Sequence, residues 1–162
     1  VGGKRAPLTV TRGKIHDYLG MTLDYSEPSF VKIDMTAYVK KILDEAPDEM
    51  DGTAKSPAAD HLFQIIEDIE LLDDAARESF HATVAKLLFL CKRGRPDIQT
   101  AIAFLCTRVQ QPTKHDLNKL TRVIKYLRYT VDLVLRLSAD NLSIIKWWVD
   151  ASYGVHHDMR SH

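Results

Sequence analysis

The chain is short of the residues from which several protein classes are built. It has only two cysteines, Cys91 and Cys106, both among aliphatic neighbours. Two such thiols exclude a disulfide scaffold and a four-cysteine zinc site, and they suit a reducing compartment. No apolar run approaches the roughly 18–20 residues needed to span a bilayer. The longest, around 85–91, carries Lys86 and is followed by Lys92. Lys4 and Arg5 are not followed by an apolar stretch, so no signal peptide is expected. A glycine-rich phosphate loop, a nucleophile elbow and a Cys/His dyad are all missing. The seven histidines show no zinc spacing, although His156, His157 and His162 lie near Asp158. The first residue is not Met and the last residues read as the middle of something, so a fragment of a longer chain is expected.

What is present is ordinary in amount and uneven in placement. The 162 residues are 45% hydrophobic and 27% charged, near globular averages, which excludes wholesale disorder. The length suits one domain or two small pieces of different domains. The formal net charge is zero, but residues 44–78 carry 2 basic and 12 acidic groups while 79–130 carry 10 basic and 2 acidic. So basic a block is an electrostatic footprint that can face phosphates. Equally, the acidic block can fold against the basic one, with both solvated.

The hydrophobic pattern predicts an α+β chain, mainly α. A β-branched stretch at 8–11, mixed positions over 14–24, a turn at 26–29 and Phe30, Val31 and Ile33 suggest a hairpin. Met35, Tyr38, Val39, Ile42, Leu43 and Ala46 then make one helical stripe, with Asp34 as N-cap and Pro47 as stop. Residues 48–71 lack a period and read as a long acidic connection with one short helical turn. Three helices follow. Asp73 or Asp74 caps the first, and Gly94 ends it. Pro96 starts the second, and Thr113 caps the third. These helices are expected to bury their stripes together, leaving the acidic segment outside. Residues 131–137 and 142–149 read as two strands joined by a hairpin loop at 138–141, the second apolar on both faces as in a central strand.

Two places can carry chemistry. Asp150 ends the apolar stretch Ile144-Ile145-Lys146-Trp147-Trp148-Val149, with small residues beside it. A rigidly held carboxylate there suits a divalent metal in phosphodiester hydrolysis, although one Asp cannot hold two ions and the position equally suits a turn. The third helix carries Lys114, Lys119, Arg122, Lys125 and Arg128 against only Asp116. Asn118, Arg122 and Lys125 share the face opposite the leucines, with Lys119 and Arg128 nearby. Lys92, Arg93 and Arg95 cluster at the preceding helix junction, Arg95 beside the start of the second helix. Of these, Lys92, Arg93, Arg95, Lys119, Arg122, Lys125 and Arg128 would give backbone binding that weakens steeply with salt, or simply a soluble helix face.

Read in order, several short motifs resemble one family. They are Tyr18-Leu19-Gly20-Met21, Tyr38 with Ile42-Leu43, Ser56-Pro57, Lys86-Leu87-Leu88-Phe89-Leu90, Arg95-Pro96-Asp97-Ile98, Pro112 with His115, Tyr126-Leu127-Arg128-Tyr129-Thr130 and Asp150-Ala151-Ser152-Tyr153. Together they resemble the copia-type reverse transcriptase of LTR retrotransposons, over nearly the whole chain.

The resemblance implies a placement. Residues 1–34 would close the palm, 35–130 would be the thumb, and 131–162 would lead into a truncated RNase H-like domain. Asp150 would match the first RNase H carboxylate and metal ligand. The implied partners are an RNA/DNA hybrid or DNA duplex template–primer and the rest of the polyprotein, with no membrane. The full enzyme would use Mg²⁺ or Mn²⁺, and none is expected to bind this segment tightly. The implied location is a cytoplasmic virus-like particle, with nuclear access for integration. The polymerase Tyr-x-Asp-Asp turn and the other RNase H acids are not in this sequence. The segment alone is therefore expected neither to polymerise nor to cut, and its tail after Gly154 is expected to be poorly ordered. The alternative is a domesticated or decayed helical protein-interaction module.

Overall fold

A computed structural model describes residues 10–66, 70–141 and 143–149. Among them lie four strands and four α-helices in the order β1, β2, β3, α1, α2, α3, α4, β4. Strands β1 (Ile15–Tyr18), β2 (Met21–Asp24) and β3 (Phe30–Asp34) form an antiparallel meander. The β1–β2 turn is two residues long, with Leu19 at φ 49° and Gly20 at φ 74°. Positive φ at both positions gives a turn whose twist matches that of the flanking strands.

Helix α1 (Thr36–Asp44) follows β3 directly. Its N-cap residue is Met35 rather than Asp34. The Asp34 carboxylate still reaches the helix start, accepting the Thr36 backbone N–H at 2.7 Å. After α1 the acidic connection makes a single 3-10 turn at Asp48–Met50 and otherwise runs irregularly. Helix α2 (Asp74–Cys91) is capped by the Asp73 carboxylate on the Ala76 N–H at 2.8 Å. A 3-10 turn at Pro96–Ile98 leads into α3 (Gln99–Cys106), the proline occupying the first position where its missing N–H costs nothing. Helix α4 (Lys114–Tyr129) begins with a capping box in which Thr113 and Asp116 satisfy each other's backbone N–H groups.

The core lies among the helices. Leu87, Leu90, Ile98, Ile102, Leu105, Leu120, Ile124 and Leu127 are fully buried, and Val39, Phe80 and Phe104 nearly so. Each such side chain contributes about 1.5–3 kcal/mol. The connection adds Met50 and Leu62 to this core, whereas the sheet adds only a partly buried Met21.

Two expectations are corrected. Residues 135–138 form β4 (Leu135–Ser138), which pairs antiparallel with β3 in the register Val31 to Leu137 and Ile33 to Leu135. They do not pair with the stretch after them. Residues 143–149 carry no strand, and Trp147 and Trp148 are 82% and 85% exposed. An apolar stretch becomes a central strand only where two neighbours accept its ladder. The second correction concerns Gly94, which does not adopt the left-handed conformation of a helix-ending glycine. It is needed for space, because a Cβ there would lie 2.9 Å from both Cγ and Sδ of Met35. The stretch at 8–9 and everything after Val149 lie outside the described residues.

Candidate nucleic-acid interface

Helix α4 brings its cations to one side, and the connection lies across them. An irregular segment leaves carbonyl oxygens without ladder partners, and buried ones must find donors elsewhere. Here the α4 cations supply several. Arg128 Nη1 donates to the carbonyls of Met50 and Gly52, at 2.7 and 3.0 Å, and sits 3.6 Å from Asp51. Lys119 Nζ donates to the Gln64 carbonyl at 2.6 Å. Arg122 Nη2 donates to the Ser56 hydroxyl at 2.9 Å. The Lys125 carbonyl accepts the Ala54 N–H at 3.2 Å, and its half-buried side chain ends beside Gly52. The acidic segment is thus not outside the fold as expected. It is laced to α4 by the side chains expected to face phosphate.

Lys119 is the clearest correction. It is 6% exposed, lies 4.4 Å from the centre of the Phe104 ring and 3.9 Å from Asp116. Burial pushes its ammonium pKa down. Asp116 holds it up in part, and Arg108 lowers it further. Such a group is not available to a duplex.

Arg95 is corrected for the same reason. Only 1% exposed, its guanidinium grips Asp97 with Nε at 3.0 Å and Nη2 at 2.8 Å. The same group donates to the Thr130 carbonyl and hydroxyl. Burial pushes the Asp97 carboxyl pKa up, but the Arg95 hydrogen bonds and charge outweigh it and hold the group below its ordinary value. Arg95 is a strut between the turn before α3 and the end of α4, buried where an exposed phosphate contact was expected.

Lys92 and Arg93, by contrast, sit together at the open end of α2. Lys92 is exposed, and the half-buried Arg93 lies 3.8 Å above the centre of the Phe89 ring. Phe89 packs against Tyr38 of α1 at 5.3 Å between centroids. The aromatic floor was not read from the sequence, although Phe89 and Arg93 stand four apart and so share a helix face. A second missed feature is the stack of His61 on His115, 5.6 Å apart and 18° from parallel, which joins the connection to the first turn of α4.

Asp150 and the histidines after it lie outside the described residues. Among the described residues, no group of three or more His, Cys, Asp or Glu is placed to hold a metal ion. No described helix is long and apolar enough to cross a membrane. Burial raises the pKa of both cysteine thiols, so neither is poised as a nucleophile.

No protein-family model and no solved structure matches the chain. It is similar to a putative transposon Ty5-1 protein of Saccharomyces cerevisiae, 26% identical over 149 residues that make up 91% of this chain and 47% of that protein. It is also similar to an uncharacterized mitochondrial protein of Arabidopsis thaliana, AtMg00810, 28% identical over 119 residues, 74% of this chain and 48% of that one. The chain therefore spans about half the length of these curated relatives, one of which is named as a transposon protein.

Proposed function

We propose that the chain is a segment of a retrotransposon polyprotein, drawn from its reverse transcriptase, and that it helps hold the template–primer duplex. The observation that carries this reading is the alignment of 91% of the chain with a transposon protein, in a sequence whose short motifs run in the copia-type order. In the whole enzyme Mg²⁺ would serve nucleotide addition and RNA cleavage, with Asp150 as an RNase H carboxylate.

The geometry changes which residues meet the duplex. Lys92 and Arg93 are the more accessible pair, with the Phe89 ring beneath Arg93 and Tyr38 packed against Phe89. Lys125 stands at the rim of the covered face. Arg95, Lys119, Arg122 and Arg128 act inside the fold, fixing α3, α4 and the connection.

Binding of a labelled RNA/DNA hybrid across a range of salt concentrations tests this. Affinity should fall steeply with salt, by roughly 0.9 log units per log unit of salt for each phosphate neutralised. Replacing Lys92 and Arg93 together with Ala should reduce that slope by about two such contacts while leaving the fold intact. Equal affinity and slope in the double variant would remove this patch. Absence of binding at low salt would favour the second reading, a protein-interaction module. One observation already favours that alternative, namely that five of the predicted phosphate ligands, Arg93 among them, donate to acceptors within the chain.

A further inference from the structure

Between the connection and α4 lies a cavity of about 130 Å³, lined by Pro57, His61 and Leu62 of the connection and by Asn118, Lys119 and Arg122 of α4. We propose that it binds a single phosphate group, either free phosphate or a terminal phosphate monoester. This goes beyond duplex binding and does not rest on it.

Charge is the first argument. Among the described residues, two cations and no carboxylate line the cavity. The nearest acid to Lys119, Asp116, is already engaged. Its oxygens accept the Thr113 N–H at 3.0 Å, the Thr113 hydroxyl at 2.9 Å and Arg108 Nε at 3.3 Å. Among the described residues Arg122 has no ion-pair partner within 4.0 Å. A phosphate dianion matches a surplus of two positive charges.

The second argument is an orphaned donor. Arg122 Nη2 is held by Ser56, whose own hydroxyl donates to the Ala58 carbonyl at 2.8 Å. Arg122 Nε is buried and has no acceptor. A buried N–H left without a partner costs about 1–3 kcal/mol, more when the group is charged. A small turn of the guanidinium toward the cavity that Arg122 lines would bring that donor to an anion oxygen. Lys119 has donors beyond the one given to Gln64, and the Asn118 amide and His61 ring add further polar groups.

Size limits the ligand. At about 130 Å³ the cavity is on the order of the 150 Å³ space that takes up one benzene-sized molecule, so it suits a single small oxyanion. Burial already pushes the Lys119 pKa down, and a neighbouring dianion would stabilise its charged form.

Titration calorimetry of the whole chain with inorganic phosphate, at constant ionic strength against chloride, tests the proposal. Saturable binding of one phosphate per chain is expected. Arg122→Gln should weaken it about tenfold or more, as expected for loss of hydrogen bonds to a charged group. Asn118→Ala should weaken it severalfold, and Lys92→Ala should leave it unchanged. Circular dichroism reports whether each variant folds. Should Arg122→Gln unfold, the exposed Asn118 decides the matter, since its replacement removes little packing. No saturable heat with the folded wild-type chain overturns the proposal, as does wild-type affinity in the folded Arg122→Gln and Asn118→Ala variants. Competition against the phosphate titration by a 5′-phosphorylated dinucleotide assigns the site to a terminal phosphate, and saturable phosphate binding that this dinucleotide does not displace assigns it to the free ion. Equal competition by an unphosphorylated dinucleotide would overturn it. Loss of hybrid binding in the Lys92/Arg93 double variant leaves this titration unaffected, so the two readings fail separately.

Discussion

The Arg95 guanidinium donates to both the carbonyl and the hydroxyl of Thr130, at 3.0 and 2.6 Å, across 35 positions of sequence. The same group grips Asp97 beside it. One buried side chain thereby fixes where α3 begins relative to where α4 ends. Removing it would leave Asp97 without its cation and the end of α4 without its cap. Arg95→Ala should therefore destabilise the chain by about 1.5–3 kcal/mol, the range for hydrogen bonds to a charged group, because the Asp97 left behind is partly exposed. Arg95→Lys should recover little, because an ammonium cannot reproduce the fork. Urea unfolding measures both. If either variant unfolds at the wild-type midpoint, the strut is not structural.

The sequence makes some of this legible and hides the rest for identifiable reasons. Thr113 is a local signal and caps α4 as expected, with Asp116 three residues later completing a capping box. Asp73 likewise caps α2. These features depend on neighbours within one turn. The direction of Arg95 does not. Lys92, Arg93 and Arg95 read as one basic cluster, yet the chain turns after α2 and sends the third inward. The pairing of β3 with β4 joins strands separated by the whole helical region, and no local pattern encodes it. The connection misleads in another way. Its acids suggest a solvated segment, but its carbonyls and Met50 and Leu62 tie it down. Sequence displays side-chain charge and is silent about which backbone oxygens lack partners.

Leu19 is a point of strain at the tip of the β1–β2 hairpin. Its φ of 49° lies in the left-handed region, where a leucine Cβ crowds the following carbonyl at about 1–2 kcal/mol. The side chain is 58% exposed, so packing offers little in return. Leu19→Asn should stabilise the chain by about 1 kcal/mol and raise the melting temperature by about 2–4 °C for a chain of this size. A lower melting temperature would show that Leu19 makes a stabilising contact.

Gly94 leaves no room for a larger residue. The Cγ and Sδ atoms of Met35 lie where a Cβ would press on them, and Met35 is itself buried at the start of α1. Gly94→Ala should cost about 1–3 kcal/mol through overpacking. Combining it with Met35→Ala should cost less than the sum of the two single changes, because the smaller side chain removes the clash. Strict additivity in denaturant unfolding would mean that Met35 gives way freely.

His115 makes the stability of the α4 start depend on pH. Burial lowers the pKa of its imidazole below the ordinary 6.5, Lys119 lowers it further, Asp116 opposes this, and His61 adds a small lowering. Arg122 adds positive charge to the cavity that His61 lines. The folded chain therefore holds fewer protons at this ring than the unfolded chain does. Stability rises with pH wherever the unfolded state binds more protons. The contribution is thus present above pH 6.5 and is lost as pH falls through the lowered folded value. His115→Gln removes the titrating group. It also removes the stack on His61, so the variant should be less stable at neutral pH. The diagnostic quantity is the difference between the two chains as pH falls, not the offset at any one pH. Unfolding midpoints measured from pH 8 to 5 should fall more steeply for the wild type than for the variant. Parallel curves would mean that the ring titrates alike in both states and that the stack is held without cost to its protonated form.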